Sequence, residues 1–150
     1  MKANFRNNDV MLALKPGWLA RSLSTNETLI VRVEESAIAP SQVTRSVLIR
    51  LTITPLPAED FARALMRRRV PNGDLSGRRK DIGGAVAWCY SWTDGILDIE
   101  SCFVARRPGR VAEVSFAAEP TLVEGRFKSN EHVMDLFDDV IHIEWVDAGG

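Results

Sequence analysis

Apolar and polar side chains alternate along several stretches of the chain, which is the pattern expected of strands with one buried face. In residues 47–54 the apolar positions recur at period two, with Leu48, Arg50 and Thr52 on the opposite side. Residues 29–33, which are apolar except for Arg32, also predict a strand. Three further strands are predicted at 85–92, 96–105 and 111–117. Because only short turns separate these three, we expect an antiparallel meander.

Two other segments carry apolar residues at helical spacing. The first follows Pro57, has two acidic residues in its first turn and predicts a helix over residues 58–69. The second begins at Ser129 or Asn130, either of which is a suitable N-cap. Its apolar stripe is formed by Val133, Met134, Phe137 and Val140. The remaining predictions are polar loops at 71–84 and 119–128 and a final strand at 141–145.

This order of elements, strands, helix, meander, helix, predicts an α+β fold. We expect one domain over residues 1–150, built on a single antiparallel sheet with both helices packed on one face. Trp88, Tyr90 and Trp92 share one side of their strand. We expect these aromatic side chains to form the floor beneath the two helices.

The opposite side of the same strand carries only small residues, which would let the backbone of a partner helix approach closely. We therefore predict a partner-binding furrow on this face, extended by residues of neighbouring strands and anchored by polar side chains. The predicted site comprises Leu48, Arg50, Thr52, Ala87, Cys89, Ser91, Glu100, Cys102, Glu113 and Ser115.

Motifs for catalysis or metal binding are scarce. Cys89 and Cys102 are predicted as buried, reduced strand residues, and no cysteine or histidine has the spacing of a metal site. We predict a protein that is not an enzyme and needs neither metal nor cofactor. One catalytic alternative stays open, in which Asp98 and Glu100 act with Glu113 as general acid and base.

Composition and charge narrow the class of protein. Hydrophobic residues make up 45% of the chain and charged residues 26%, as in a globular domain. The net charge of −1 argues against a nucleic-acid binder. Arginines cluster between Arg63 and Lys80, either as a solvated helix end or as a grip for phosphate or an acidic partner. The C-terminal region is acidic instead, with Glu131, Asp135, Asp138, Asp139, Glu144 and Asp147.

The N-terminal residues contain no apolar stretch of the kind that precedes a signal-peptide cleavage site. The longest apolar runs have the length of strands, not of membrane spans. We therefore expect a cytoplasmic protein without a membrane anchor.

Several short motifs resemble one known family. The runs Gly83-Gly84-Ala85, Tyr90-Ser91-Trp92 and Phe103-Val104-Ala105-Arg106-Arg107-Pro108 are similar to the second half of DcrB-like domains, which have the PsbP-like fold. Pro16-Gly17-Trp18 followed by Arg21-Ser22 is similar to the early Pro/Trp segment of that family and its downstream Ser. Within the group, the chain most resembles the Eag chaperones of bacterial type VI secretion.

The resemblance implies a dimeric, non-enzymatic chaperone. Eag proteins use a curved sheet to shield the N-terminal transmembrane helices of secreted PAAR-domain effectors, so the predicted furrow would be the client groove. The furrow departs from an apolar receptor in carrying Arg50, Glu100 and Glu113, with Asp98 beside them. Small and polar side chains nevertheless interlock with helices rich in Ala, Gly and Ser.

A second function of a different class is also consistent with the residues. An immunity protein would block a cognate bacterial toxin, and the acidic C-terminal helix would suit a basic toxin site.

Overall fold

The computed structural model describes residues 3–7, 9–38, 43–73, 75, 77–106 and 109–146. In chain order its strands are β1 (Ala3–Asn7), β2 (Val10–Leu14), β3 (Trp18–Ser24), β4 (Glu27–Arg32), β5 (Arg45–Ile53), β6 (Gly77–Ile82), β7 (Ala85–Thr93), β8 (Asp98–Ala105), β9 (Arg110–Ala118), β10 (Thr121–Val123), β11 (Arg126–Lys128) and β12 (Ile141–Trp145). The helices are α1 (Ala58–Arg69) and two 3₁₀ helices, Val33–Glu35 and Val133–Phe137.

The described strands form three sheets, and within each sheet every pair of neighbouring strands is antiparallel. The main sheet has seven strands in the order β3-β4-β5-β9-β8-β7-β6. A smaller sheet brings the two ends of the chain together, because β12 and β1 both pair with β2. A short hairpin of β10 and β11 stands apart from both.

One face of the main sheet carries α1, and we call it the helix face. Ala62 and Met66 of α1 are fully buried against Phe103 and Val111 of the sheet. Phe61 adds an edge-to-face contact with Phe103, with ring centroids 6.1 Å apart. The three aromatic residues of β7 pack against this cluster, so the prediction that they lie beneath a helix is confirmed for α1.

The other face is covered by the smaller sheet and the second 3₁₀ helix, and we call it the closed face. Leu12 and Ile143 of the smaller sheet are buried with Val114 of the main sheet in one cluster. The ring of Phe137 packs on Phe116, with centroids 5.5 Å apart. This face therefore holds the larger part of the core.

The α+β class, the antiparallel main sheet and the helix over residues 58–69 are confirmed. The expectation of a single sheet with both helices on one face is wrong, because the described strands form three sheets and the segment 133–137 packs on the face opposite α1. The second predicted helix is wrong, because α1 is the single α-helix among the described residues and Val133–Phe137 is a short 3₁₀ helix. Hydrogen bonds hold the chain on both sides of this 3₁₀ helix: Asn130 N–H donates to Asp98, and Lys15 N–H donates to the carbonyl of Val140. Three apolar residues of the predicted stripe, Val133, Met134 and Phe137, are buried all the same, and Val140 is half-buried.

Both predicted loops contain strands. Residues 77–82 form β6, a charged edge strand whose polar composition hid it from a search for apolar alternation. Residues 119–128 contain the β10–β11 hairpin, whose turn places Glu124 and Gly125 at positive φ, as a tight two-residue turn requires. Three residues named in the sequence analysis lie outside the described part of the chain, namely Arg107, Pro108 and Asp147.

In the described ranges, no helix is both long enough and apolar enough to cross a membrane.

Candidate functional site

The ten predicted partner-binding residues do not share one surface. The strand pairing divides them into two groups of five on opposite faces of the main sheet. On the helix face lie Leu48, Arg50, Thr52, Glu113 and Ser115. On the closed face lie Ala87, Cys89, Ser91, Glu100 and Cys102.

The connection between β8 and β9 explains the division. Ala105 pairs with Val111, so the ladder aligns Phe103 with Glu113 and Glu100 with Phe116. Paired residues share a face, and shifting a strand by one residue exchanges its faces. Glu100 and Glu113 therefore point to opposite sides of the sheet, and they cannot form the acid–base pair that was left open above.

The closed-face group lies beneath the segment that leads into the second 3₁₀ helix. Ala87 and Cys102 are fully buried, and Cys102 Sγ lies 3.9 Å from Met134 Sδ. Ser91 Oγ donates to the carbonyl of Glu131 at 2.7 Å. In the folded protein, this half of the predicted furrow is occupied by the chain itself.

Cys89 and Cys102 form a disulfide bond, which corrects the prediction of two reduced cysteines. The two residues are directly paired across β7 and β8. They are equally far from the turn between these strands, where the carboxylate of Asp94 accepts hydrogen bonds from the backbone of Ile96 and Leu97. A turn centred on Gly95 and Ile96 is therefore what brings the two sulfurs together.

Arg78 and Glu100 form a bidentate ion pair at the edge of the closed face, at 2.8 and 3.0 Å. Glu100 is 0% exposed, and it also accepts a hydrogen bond from Met134 N–H. Arg78 reaches Asp135 at 3.1 Å as well. The hydrogen bond from Arg78 to Glu100 raises the pKa of Arg78 further above its usual range, against the opposite effect of burial. The pair therefore clamps the second 3₁₀ helix onto the sheet.

The helix-face group lies beside α1, whose main contacts are with β7, β8 and β9. Leu48, Arg50, Thr52 and Ser115 are half-buried, and we call them the β5–β9 strip. Glu113 is buried at its edge. There Glu113 accepts a bidentate pair of hydrogen bonds from Arg69 of α1.

The Arg69–Glu113 pair continues into a polar network along the sheet. Ser115 Oγ donates to Glu113 at 2.9 Å and lies 3.0 Å from Ser101 Oγ, which accepts from the indole N–H of Trp92. The guanidinium of Arg69 also lies over the ring of Trp92. The network leaves the buried carboxylate fully paired, so this arrangement positions α1 and offers no free acid or base.

At its far end the strip approaches an apolar groove of about 410 Å³. Along β9, Ala117 follows Ser115 on the helix face and pairs with Ile99. Leu97, two residues before Ile99, lines the groove. Ile96 and Phe127 also line the groove, and these two side chains are 74% and 78% exposed. An apolar surface of this kind is typical of a contact with another molecule.

One wall of this groove is formed by Val43 and Thr44, which directly precede β5. Val43 lines the groove, and the adjacent Thr44 N–H donates to the buried carboxylate of Glu35. Burial raises the pKa of Glu35, but the hydrogen bonds from Thr44 and the pairing with Arg32 outweigh it and lower the pKa below its usual value. The ionised Glu35 thus holds this wall in place.

A second groove, of about 450 Å³, lies between α1 and the β6 edge on the helix face. Arg63 and Arg67 line it from α1, and Arg79 lines it from β6. Trp88 and Tyr90 form its floor. The basic segment and the aromatic stripe of the sequence therefore meet at one place.

Of the acidic C-terminal residues, the five that the structure describes are exposed, as are both histidines, His132 and His142. Asp135 pairs with Arg78 and Lys80. Asp138 and Asp139 have no cationic side chain within 4.0 Å among residues 3–7, 9–38, 43–73, 75, 77–106 and 109–146.

Comparisons with known proteins address the fold. No family model matches the sequence, and no curated protein matches it. The solution structure of cyanobacterial PsbP (CyanoP) from Synechocystis sp. PCC 6803 superposes with a TM-score of 0.52 at 14% identity, covering 95% of this chain and 94% of that one. The fold is PsbP-like. The resemblance stated above is thus confirmed for the fold.

A crystal structure from Bacteroides thetaiotaomicron VPI-5482 is also similar, with a TM-score of 0.54 at 11% identity. It covers 95% of this chain, and this chain spans about half of its length, 48%. At such identities the likeness concerns the PsbP-like fold alone.

Sequence reasoning missed the main features of both grooves, although signals for them exist. Leu122 and Phe127 flank a Glu-Gly dipeptide, which is a turn signal, and they pair directly across the hairpin. The aromatic floor itself is predicted, but its contact with Arg79 is not, because the polar pattern of residues 71–84 predicts a loop. Once β6 is paired with β7, Arg79 lies opposite Trp88.

Proposed function

We propose that the protein is a chaperone or adaptor that binds an apolar helical segment of a partner protein, as the resemblance to Eag chaperones implies. The client would be the hydrophobic N-terminal segment of a type VI secretion effector. The observation that carries the proposal is the groove lined by Ile96 and Phe127, whose large apolar side chains are mostly exposed. Such side chains are costly to leave in water unless a partner covers them.

The β5–β9 strip supports a helical occupant. Thr52 and Ser115 are small and polar, and such residues allow a helix backbone to approach and accept hydrogen bonds from Ser or Thr on it. Arg50 is 42% exposed at its side chain and paired only loosely with Glu27, so it is free to turn towards a partner. The client would therefore lie along the strip with its apolar end in the groove.

This placement revises the surface expected from the sequence. Five of the ten expected residues, the helix-face group, belong to it or border it. The closed-face group does not, because its residues lie under the chain's own C-terminal segment. The proposed surface adds the residues around Ile96 and Phe127.

The proposal can be tested with a model client, an apolar 20-residue helix rich in Ala, Gly and Leu that is fused to a soluble carrier. Co-expression with the protein is expected to give a soluble complex, seen by size-exclusion chromatography with light scattering. Phe127→Asp and Ile96→Asp are expected to abolish the complex, since each puts a charge into the apolar groove.

Ile53→Asp is the matched control, because Ile53 is 80% exposed and does not line the groove. The proposal fails if Ile53→Asp is as harmful as Phe127→Asp. It also fails if the wild-type protein does not retain the model client.

The immunity function remains a second candidate because of one observation. Asp138 and Asp139 are exposed and lack cationic partners among the described residues, as an acidic inhibitory surface requires. Charge reversal of both residues should abolish neutralisation of a basic toxin and leave binding of the model client intact.

Two expectations about the protein's setting remain predictions. The dimer is checked by the mass of the purified protein in solution. The cytoplasmic location sits poorly with the Cys89–Cys102 disulfide, because such bonds persist mainly in oxidising compartments. Alkylation of thiols in intact cells decides it, since a fully oxidised pair would favour an oxidising compartment.

A further inference from the structure

The groove between α1 and the β6 edge is lined by arginines and aromatic residues that have no role in the proposed chaperone function. It lies on the same face as the β5–β9 strip but on the far side of α1, and it shares no lining residue with the apolar groove. Its volume of about 450 Å³ is that of a site for a small molecule.

Cationic side chains in this groove outnumber the anionic ones. Glu59 is the one carboxylate among its lining residues, and it is engaged by Arg63 at 3.3 Å. Within the described ranges Arg67 and Arg79 have no carboxylate within 4.0 Å. Two guanidinium groups therefore face the groove without a counter-ion, and each presents donors suited to a bidentate contact with an oxyanion.

The floor adds an aromatic surface beside these cations. The guanidinium of Arg79 lies over the ring of Trp88, 6.0 Å from its centroid. A Cβ at Gly77 would lie 2.9 Å from the ring of Tyr90, so the absence of a side chain at this position of β6 lets that ring lie flat against the strand. The floor is thus suited to a flat ring.

The indole N–H of Trp88 adds a further donor without an acceptor. It is buried and has no hydrogen-bond partner among the described residues. The unpaired polar groups around this floor are therefore donors, which matches a ligand that brings acceptors.

We propose that this groove binds a small organic anion in which a phosphate or carboxylate is attached to an aromatic ring. Arg67 and Arg79 hold the oxyanion, and the ring lies on Trp88 and Tyr90. The site is independent of the client surface, so either proposal can fail without the other.

The test uses phenyl phosphate and isophthalate as probes, followed by two-dimensional NMR that includes the indole N–H signals. At least one probe is expected to bind with a Kd below about 1 mM, the range open to ligands of this size. The stronger of the two identifies phosphate or carboxylate as the preferred anion. Inorganic phosphate has the anion without the ring, and benzyl alcohol has the ring without the anion. Each is expected to bind at least tenfold more weakly than the better ring-bearing probe.

Variants of adjacent arginines separate a built site from general attraction. Arg67→Gln and Arg79→Gln are each expected to weaken binding at least tenfold. Arg68→Gln is the matched control, since Arg68 is exposed in the same helical turn and does not line the groove. All three residues are exposed, so the variants should fold.

Three results would overturn the proposal. One is the absence of binding by both ring-bearing probes. Another is equal affinity for inorganic phosphate, which would remove the role of the ring. The third is an equal loss in Arg68→Gln and Arg67→Gln, which would show that only the net charge matters.

Discussion

The two faces of the main sheet are built from the same strands but use charge differently. On the closed face, Arg78 and Glu100 form a buried pair that ties one part of the chain to another. On the helix face, Arg50 and Glu27 form a partly exposed pair at 3.4 Å, and Arg67 has no carboxylate partner among the described residues. The helix face has one comparable pair, Arg69–Glu113, but it also leaves other charged side chains available.

The difference shows where stability and binding can be separated. Substitutions on the closed face should cost stability, because burial makes each lost partner expensive. Substitutions on the exposed parts of the helix face should change binding and leave the fold intact. Four predictions test this division.

The largest effect is expected from breaking the buried ion pair. Arg78→Met strands Glu100 without its partner and should lower the free energy of unfolding by about 3–5 kcal/mol. Arg50→Met, the matched change on the helix face, should cost about 1 kcal/mol or less. Urea denaturation measures both.

A double variant identifies the cause of that loss. Arg78→Met combined with Glu100→Gln should recover part of the stability, because no charge remains buried. If the double variant is as unstable as Arg78→Met alone, the stranded carboxylate is not what destabilises the protein.

Removal of the disulfide comes next. Its two cysteines are separated by 13 positions, and closing a loop of that size contributes about 3 kcal/mol by restricting the unfolded chain. The double change Cys89→Ala and Cys102→Ala should lower the unfolding free energy by that amount. Wild-type protein under reducing conditions should behave in the same way, and free thiols in the unfolded, unreduced protein would contradict the bond.

A smaller effect is expected where the β6–β7 turn meets the smaller sheet. Gly83 and Gly84 both have positive φ, but a Cβ at Gly83 would lie 2.6 Å from the carbonyl oxygen of Ile143, and one at Gly84 would meet nothing within 4 Å. Gly84→Ala should cost about 1 kcal/mol for the backbone conformation alone. Gly83→Ala should cost about 2 kcal/mol, and equal losses would mean that the contact with β12 can adjust freely.

The smallest effect concerns the wall of the apolar groove on the helix face. The pKa of Glu35 is lowered in the folded state, so its stabilising contribution is complete above its ordinary value of 4.5 and is lost as pH falls through the lower folded value. As pH falls below 4.5, we expect the protection of the Thr44 amide against hydrogen exchange, relative to its intrinsic rate at each pH, to fall before global unfolding. In Glu35→Gln that exchange should be fast already at neutral pH, and the acid-dependent step should disappear.

The sequence predicts the helix and strands more accurately than it predicts which face of the sheet each side chain occupies. The helix over residues 58–69 and the central strands were correct, because their periodicity is local. The assignment of faces failed at Glu100 and Glu113, because it depends on the number of residues that connect β8 to β9. The alternation of apolar and polar residues within each strand contains no information about the length of that connection.

The other errors have physical reasons of the same kind. The β6 strand is polar because it lies at the edge of the sheet, and pairing with β7 is what makes it a strand. The apolar residues of the 3₁₀ helix repeat at a spacing that also fits an α-helix. The disulfide follows from a register that becomes visible only when the turn is placed on Gly95 and Ile96. The pattern places the aromatic residues of β7 beneath a helix, but it does not place Arg79 beside Trp88, because that contact depends on the pairing of β6 with β7.

The pairing of β12 with β2 has a consequence for how the protein is made. Strand β12, which completes the cover on one side of the main sheet, is translated after all seven strands of that sheet, and it pairs with β2, which is translated before them. A nascent chain that has not yet reached Ile141 would therefore carry the whole main sheet with the cover on its apolar side incomplete. Until synthesis passes that point, the growing polypeptide depends on the ribosome or on a cellular holdase to avoid aggregation.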